Sequence, residues 1–391
     1  MPKLRFLLIL GFLAACGDDD APPTPDAGPS GESRAETVRA IGGEVIVPTY
    51  RTFLEAAREL QARATAWRDS GADADRLAAV TAWDRAMGLW QQAELALVGP
   101  AGAMMVTAGG EDRRDGIYSW PITNQCRVDQ ELVEEVYLDV DAFARENVNV
   151  RGLAALEYLL HYTGEANGCA PNASINLNGE WTPIVSELPA RRAAYAVTAA
   201  TLVVRDAEAL LARWDDAFLA ELQTAGAGSS TFATAQEALN ALSDALFYLD
   251  KEVKDMKLAE PMGLSMACTA DICPNLRESL YAGRSIANVA DNLRGFRLVF
   301  AGAMDGAGRG FDDLLNDVGA GALATQMISL IDAAIAVADG YEADVPELLA
   351  EDPLALQPLY DAVKAITDLL KTQLLSTLDL EVPNRAEGDN D

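Results

Sequence analysis

Apolar side chains recur at every third or fourth position through most of this 391-residue chain, a period that suits helices and little else. Leu77, Val80, Trp83, Met87 and Trp90 line one face of an amphipathic helix, which Gly99-Pro100 stops. Phe232, Leu239, Leu242, Leu246, Leu249, Val253 and Met256 form a heptad-like seam of the kind bundle helices use. Leu202, Leu210, Trp214 and Phe218 mark a further helix, and 322–338 and 359–378 mark two more. The β-branched run Glu44-Val45-Ile46-Val47 is short and precedes Pro48, so it reads as a weak strand or as the entry to a helix near Thr49. The expected fold class is all-α, at two-domain size.

Half the residues are hydrophobic, enough to bury a sizeable core. Charge narrows function further. With 30 Lys+Arg against 60 Asp+Glu the formal charge is −30, which repels phosphate backbones, so no nucleic-acid partner is expected. His161 is the only histidine. Zinc sites built on several imidazoles are thereby excluded, and any imidazole chemistry must run through that one ring.

The first residues read as an address. Lys3 and Arg5 precede an apolar run, 6–13, too short to span a bilayer as a stable anchor. Leu13-Ala14-Ala15-Cys16-Gly17 resembles a bacterial lipobox, which implies cleavage before Cys16 and acylation of its sulfur and new amino group. The expectations are a lipoprotein signal peptide at 1–15, a flexible tether at 16–35 and membrane lipid as the partner of Cys16. The chain then belongs in the bacterial cell envelope, at the outer membrane because Gly17 rather than Asp follows the cysteine. Residues 383–391 read as an acidic tail.

Three stretches, 101–124, 164–183 and 261–275, break the helical period and carry the remaining cysteines. Cys126, Cys169, Cys268 and Cys273 make an even set, which favours disulfides in an exported protein. Three pairings are open; Cys126–Cys169 with Cys268–Cys273 is preferred because it staples the loops locally. A four-thiolate zinc site competes, on poor spacing.

Three blocks carry a family resemblance. They are Asp115-Gly-Ile-Tyr-Ser-Trp-Pro121 with Asn124-Gln-Cys-Arg-Val-Asp129; Val150-Arg-Gly-Leu-Ala-Ala-Leu-Glu-Tyr-Leu-Leu160; and Arg277-Glu-Ser279 with Ser285 and Asn292-Leu-Arg-Gly-Phe296. In this order they resemble the imelysin-like proteins of peptidase family M75, which include iron-regulated, surface-exposed bacterial lipoproteins. The resemblance implies two helical bundles that look like a duplication, here 36–210 and 211–382, with a cleft involving a GxHxxE motif. This chain reads Gly152-Leu-Ala-Ala-Leu-Glu157 there, with Ala154 in the histidine position. A methyl group neither ligates a metal nor moves a proton, so the resemblance carries the fold and the carboxylate but not chemistry that needs that imidazole.

The candidate cleft residues are Tyr118, Trp120, Arg127, Asp129, Gly152, Glu157, Glu278 and Ser279. Trp120-Pro121 reads as a cleft lining or a helix start, and Glu278-Ser279 as a helix start capped by Asn275. Glu157 and His161, four apart on a helix, share a face and are the candidate metal pair for iron or another divalent ion, with Asp129 or Glu278 as further ligands. Competing with this, Glu157 is a buried carboxylate paired with Arg127, Arg151 or Arg277. No catalytic residue and no certain cofactor is assigned. The function expected is an envelope binding protein, linked to iron acquisition, for iron or another small ligand. The alternatives are an M75-type metallopeptidase and a structural protein that meets another envelope component.

Overall fold

The computed structural model describes residues 28–383. The signal peptide, Cys16 and nearly all of the acidic tail lie outside them. Among the described residues there are helices and no strands. We label the principal helices α1 (Gly31–Ala40), α2 (Val47–Ser70), α3 (Asp73–Ala93), α4 (Gln125–Glu134), α5 (Gly152–His161), α6 (Leu188–Arg213), α7 (Ala235–Leu246), α8 (Leu249–Ala259), α9 (Ser285–Ala301), α10 (Gly321–Asp339) and α11 (Gln357–Leu369).

Helix starts lie where short polar side chains can hold the first amides. Ser30, Asn124 and Thr234 each accept from the backbone N–H three residues on. Ser30 thus begins α1 inside the segment assigned to the tether, whose described end is helical from Gly31. The 44–47 run is not a strand. It lies in a wide turn, Ile41–Ile46, that passes directly into α2. Pro48 has no N–H for the carbonyl of Glu44, and a wide turn just before it accommodates the loss.

In one group of helices α2 packs on α3 and α6, and α5 packs on α3 and α6. In another, α9 packs on α8 and α10, and α11 on α8 and α10. One buried apolar cluster runs through both, from Val38 to Leu380. Residue 210 lies within a helical run that continues from α6 through Trp214–Phe218 to Gln223.

The seam between the groups is α3 against α9. It is close because Gly295 offers no side chain: a Cβ there would stand 2.2 Å from the carbonyl oxygen of Gln92. Both expected disulfides are present, Cys126–Cys169 and Cys268–Cys273.

Two elements differ from expectation. The seam from Phe232 to Met256 is not one regular helix. Phe232 precedes α7, and α8 is wound with wide turns over its whole length. Glu278-Ser279 does not start a helix; a short turn at Pro274–Leu276 leads through a bend at 277–278 and a turn at 280–282 to α9, which begins at Ser285.

Candidate functional site

Gly152 seats the first wall of the site. Its φ is +79°, and a Cβ would lie 2.8 Å from the carbonyl oxygen of Ile117. α5 therefore starts hard against 116–117, and its next turn carries Ala154, Glu157 and Tyr158 on one face. These three border a cavity of about 230 Å³. The opposite wall is the segment before α9, with Arg277, Glu278 and Tyr281, while Trp120, Pro121 and Met256 close the side. A second cavity of about 230 Å³ shares Trp120, Pro121 and Met256 and extends past Arg114 and Tyr248.

Glu157 comes from the first group of helices and is held by the second. Its side chain is 6 % exposed. Oε1 accepts from Ser279 Oγ at 2.7 Å and from the backbone N–H groups of Tyr281 and Ala282, each at 2.9 Å. Oε2 accepts from none of the described residues. Burial pushes the carboxyl above its ordinary range, against the pull of those three donors. The expected arginine partner is absent from this arrangement. Arg277 donates to the carbonyls of Pro274, Ser279 and Leu280, Arg151 to that of Ala144, and Arg127 pairs with Glu131. Two amides and a hydroxyl replace the salt bridge.

Glu278, on the facing wall, is differently placed. Its Oε1 accepts from Tyr118 at 2.6 Å, Gln91 at 2.9 Å and Lys257 at 2.9 Å, and Oε2 from Asn288 at 2.8 Å. Lys257, 1 % exposed, also donates to Gln91 Oε1 and Asn292 Oδ1. Asn292 in turn donates to the Gln91 carbonyl across the α3–α9 seam. Deeper still, Glu94 accepts from Trp90, Arg114 and Tyr248. Arg114 reaches on to the carbonyl of Trp120 at 2.5 Å, and Lys257 stands 5.3 Å from the Trp120 ring centre. The tryptophan on the cavity rim is thus positioned by buried cations behind it.

Of the sequence-assigned residues, Trp120, Glu157 and Glu278 line the cavity, Ser279 bonds Glu157, and Tyr118 bonds Glu278. Asp129 acts one step back: it accepts from Tyr158, a wall residue, at 2.9 Å and from the Gly168 amide at 2.7 Å, and burial raises its carboxyl to about 6. Gly152 shapes the backbone. Arg127 is apart, near Glu131, Glu134 and Glu146.

His161 is also apart. Its ring stands edge-on to Trp83 at 5.0 Å, Nε2 is buried without a hydrogen-bond partner, and burial with Arg76 nearby lowers it to about 4. Among the described residues no three His, Cys, Asp or Glu side chains gather as a metal would require. The donor set therefore does not fit the metal pair assigned to Glu157 and His161: Oε1 of Glu157 is committed to the Ser279 hydroxyl and the amides of Tyr281 and Ala282, and Asp129 and Glu278 are bonded elsewhere.

Sequence reasoning missed Lys257, Gln91, Asn288 and Asn292. Nothing in a lone lysine or amide marks it as buried. Asn292 alone carried a signal, through its place in the third block.

A family model for imelysin, peptidase M75, matches residues 46–373. No curated protein matches the sequence. Two solved structures are similar. An imelysin-like protein from Psychrobacter arcticum 273-4 aligns with TM-score 0.69 at 18% identity, covering 90% of this chain and 98% of its own. A putative iron-regulated protein A precursor from Parabacteroides distasonis ATCC 8503 aligns with TM-score 0.70 at 16% identity, covering 90% of this chain and 96% of its own. The chain belongs to the imelysin family.

Proposed function

For this imelysin-family chain we propose a non-hydrolytic binding protein of the bacterial cell envelope, held at the outer membrane by acylated Cys16, whose cavity between α5 and the 275–281 segment takes a small ligand. The observation that carries the reading is Glu157: a buried carboxylate bordering the cavity with one oxygen saturated by protein donors and the other left without a partner. Ala154 on the same wall leaves room where the family motif has an imidazole.

Metal-dependent hydrolysis is disfavoured by the donor set. A metal-activated water needs about three protein ligands and a base, and the described residues do not assemble them. The role in iron acquisition rests on resemblance and on one solved relative being described as an iron-regulated protein A precursor; it would run through a chelate or a partner protein rather than a bare ion at Glu157.

The test is native mass spectrometry on the full chain extracted from envelopes, beside Ala154→Trp. The wild type should carry a small non-protein mass that the variant loses. Chelator-sensitive peptide cleavage that disappears in Glu157→Gln would overturn the reading. Titration with ferric citrate and haem tests the iron part, which falls if neither binds. Labelled palmitate should enter the wild type and not Cys16→Ser.

A further inference from the structure

Resting on the binding reading above, we infer that the cavity takes an organic cation: a primary ammonium group carried on a small apolar or aromatic body. Glu157 sets the charge. Its Oε1 is saturated by Ser279, Tyr281 and Ala282, whereas Oε2 has no donor from the described residues, in a side chain only 6 % exposed. Oε2 stays accessible where Glu157 lines the cavity, and a ligand that brings both charge and N–H donors completes the bonding of the carboxylate there. An ammonium has three donors and no acceptor.

The protein's own cations at this wall are committed elsewhere. Arg277 spends its guanidinium on three backbone carbonyls, and Lys257 on Glu278, Gln91 and Asn292. The remaining lining sets three rings, Trp120, Tyr158 and Tyr281, and the Glu260 carboxylate among apolar and neutral polar side chains. Ring faces attract a cation. With Glu278 already paired to Lys257, the Glu157 and Glu260 carboxyls on the wall disfavour an anion, and a neutral solute leaves the charge at Glu157 unmatched. A divalent metal would need further ligands, which the described residues do not bring together. The 230 Å³ of space suits a compact body, and the chain's charge of −30 concentrates cations around it.

Titration calorimetry on the full chain in detergent at neutral pH, with benzylamine, benzyl alcohol and benzoate, tests the assignment. Benzylamine should bind at least about tenfold more tightly than benzyl alcohol, a gap of roughly 1.4 kcal/mol, and benzoate should give no heat. Glu157→Gln should bring the amine down to the affinity of the alcohol. Ala154→Leu, which fills the space and leaves Glu157 with its three donors, should abolish binding without lowering the melting temperature. Equal affinity for amine and alcohol, or amine binding that survives both substitutions, overturns the inference. If benzylamine fails while the native mass spectrum still shows a bound solute that Ala154→Trp loses, the amine class alone falls; if no solute is seen either, the binding reading falls with it.

Discussion

Glu157 and Glu278 border one cavity, both are buried, and each comes from a different group of helices, yet they are bonded in opposite ways. Glu278 has both oxygens satisfied and a lysine in contact. Glu157 has one oxygen filled by amides and a hydroxyl and the other without a protein partner. Burial alone does not separate a framework carboxylate from a binding one; the count of protein donors does. Glu278 belongs to the frame, and Glu157 is the group left for a solute.

The sharpest way to break this contrast is Lys257→Met. Removing one partner of a buried ion pair leaves an uncompensated charge, so a loss of about 3–5 kcal/mol is expected in denaturant melts. A loss under about 1 kcal/mol would mean that Glu278 is not held as a structural ion. Gly295→Leu strikes the seam itself, since even a Cβ there meets the Gln92 backbone. Overpacking should destabilise by about 1–3 kcal/mol and disturb the Gln91–Asn292 pair. Glu157→Gln should cost only about 1 kcal/mol, because the amide oxygen still accepts from the 279–282 donors; a collapse comparable to Lys257→Met would erase the distinction.

The smallest effect is in the pH profile. Burial raises Asp129 to about 6 and Glu131 to about 7, so the fold favours their neutral forms. That stabilisation is complete below the ordinary carboxyl range and is lost as pH rises through 6–7. His161 opposes it: with its imidazole lowered to about 4, its contribution is present above 6.5 and is lost as pH falls toward 4. These raised carboxyls, joined by Asp312 at about 6, outweigh one lowered imidazole, so the melting temperature should fall from about pH 5.5 to about pH 7.5. His161→Gln should steepen the fall, and Glu157→Gln should flatten it, because Glu157 is also raised.

What the sequence made legible was periodic or covalent. Trp83, Met87 and Trp90 are buried on α3 as their spacing implies, and the cysteines pair as their positions favour. What it hid depends on winding and on contacts far along the chain. A regular helix through Leu249 and Val253 would turn Met256 into the core. The wide turns of α8 bring Lys257 inward instead and set Met256 at the cavity. Glu157 was legible as a buried carboxylate, but arginines close to it in the matched blocks suggested a salt bridge. Two of its three actual donors, more than a hundred residues away, are backbone amides, which no residue type advertises; the third is the hydroxyl of Ser279, one of the assigned cleft residues.

The interlocking of α3 with α9 has a consequence for how the molecule comes apart. Separate the halves, and Gln91 would lose Lys257, Glu278 and Asn292 together, and the amides of Tyr281 and Ala282 would lose their acceptor. Neither group of helices is expected to be a self-sufficient module. Melting should register as a single cooperative event rather than two, and dissection into autonomous pieces should yield aggregates instead of smaller working proteins.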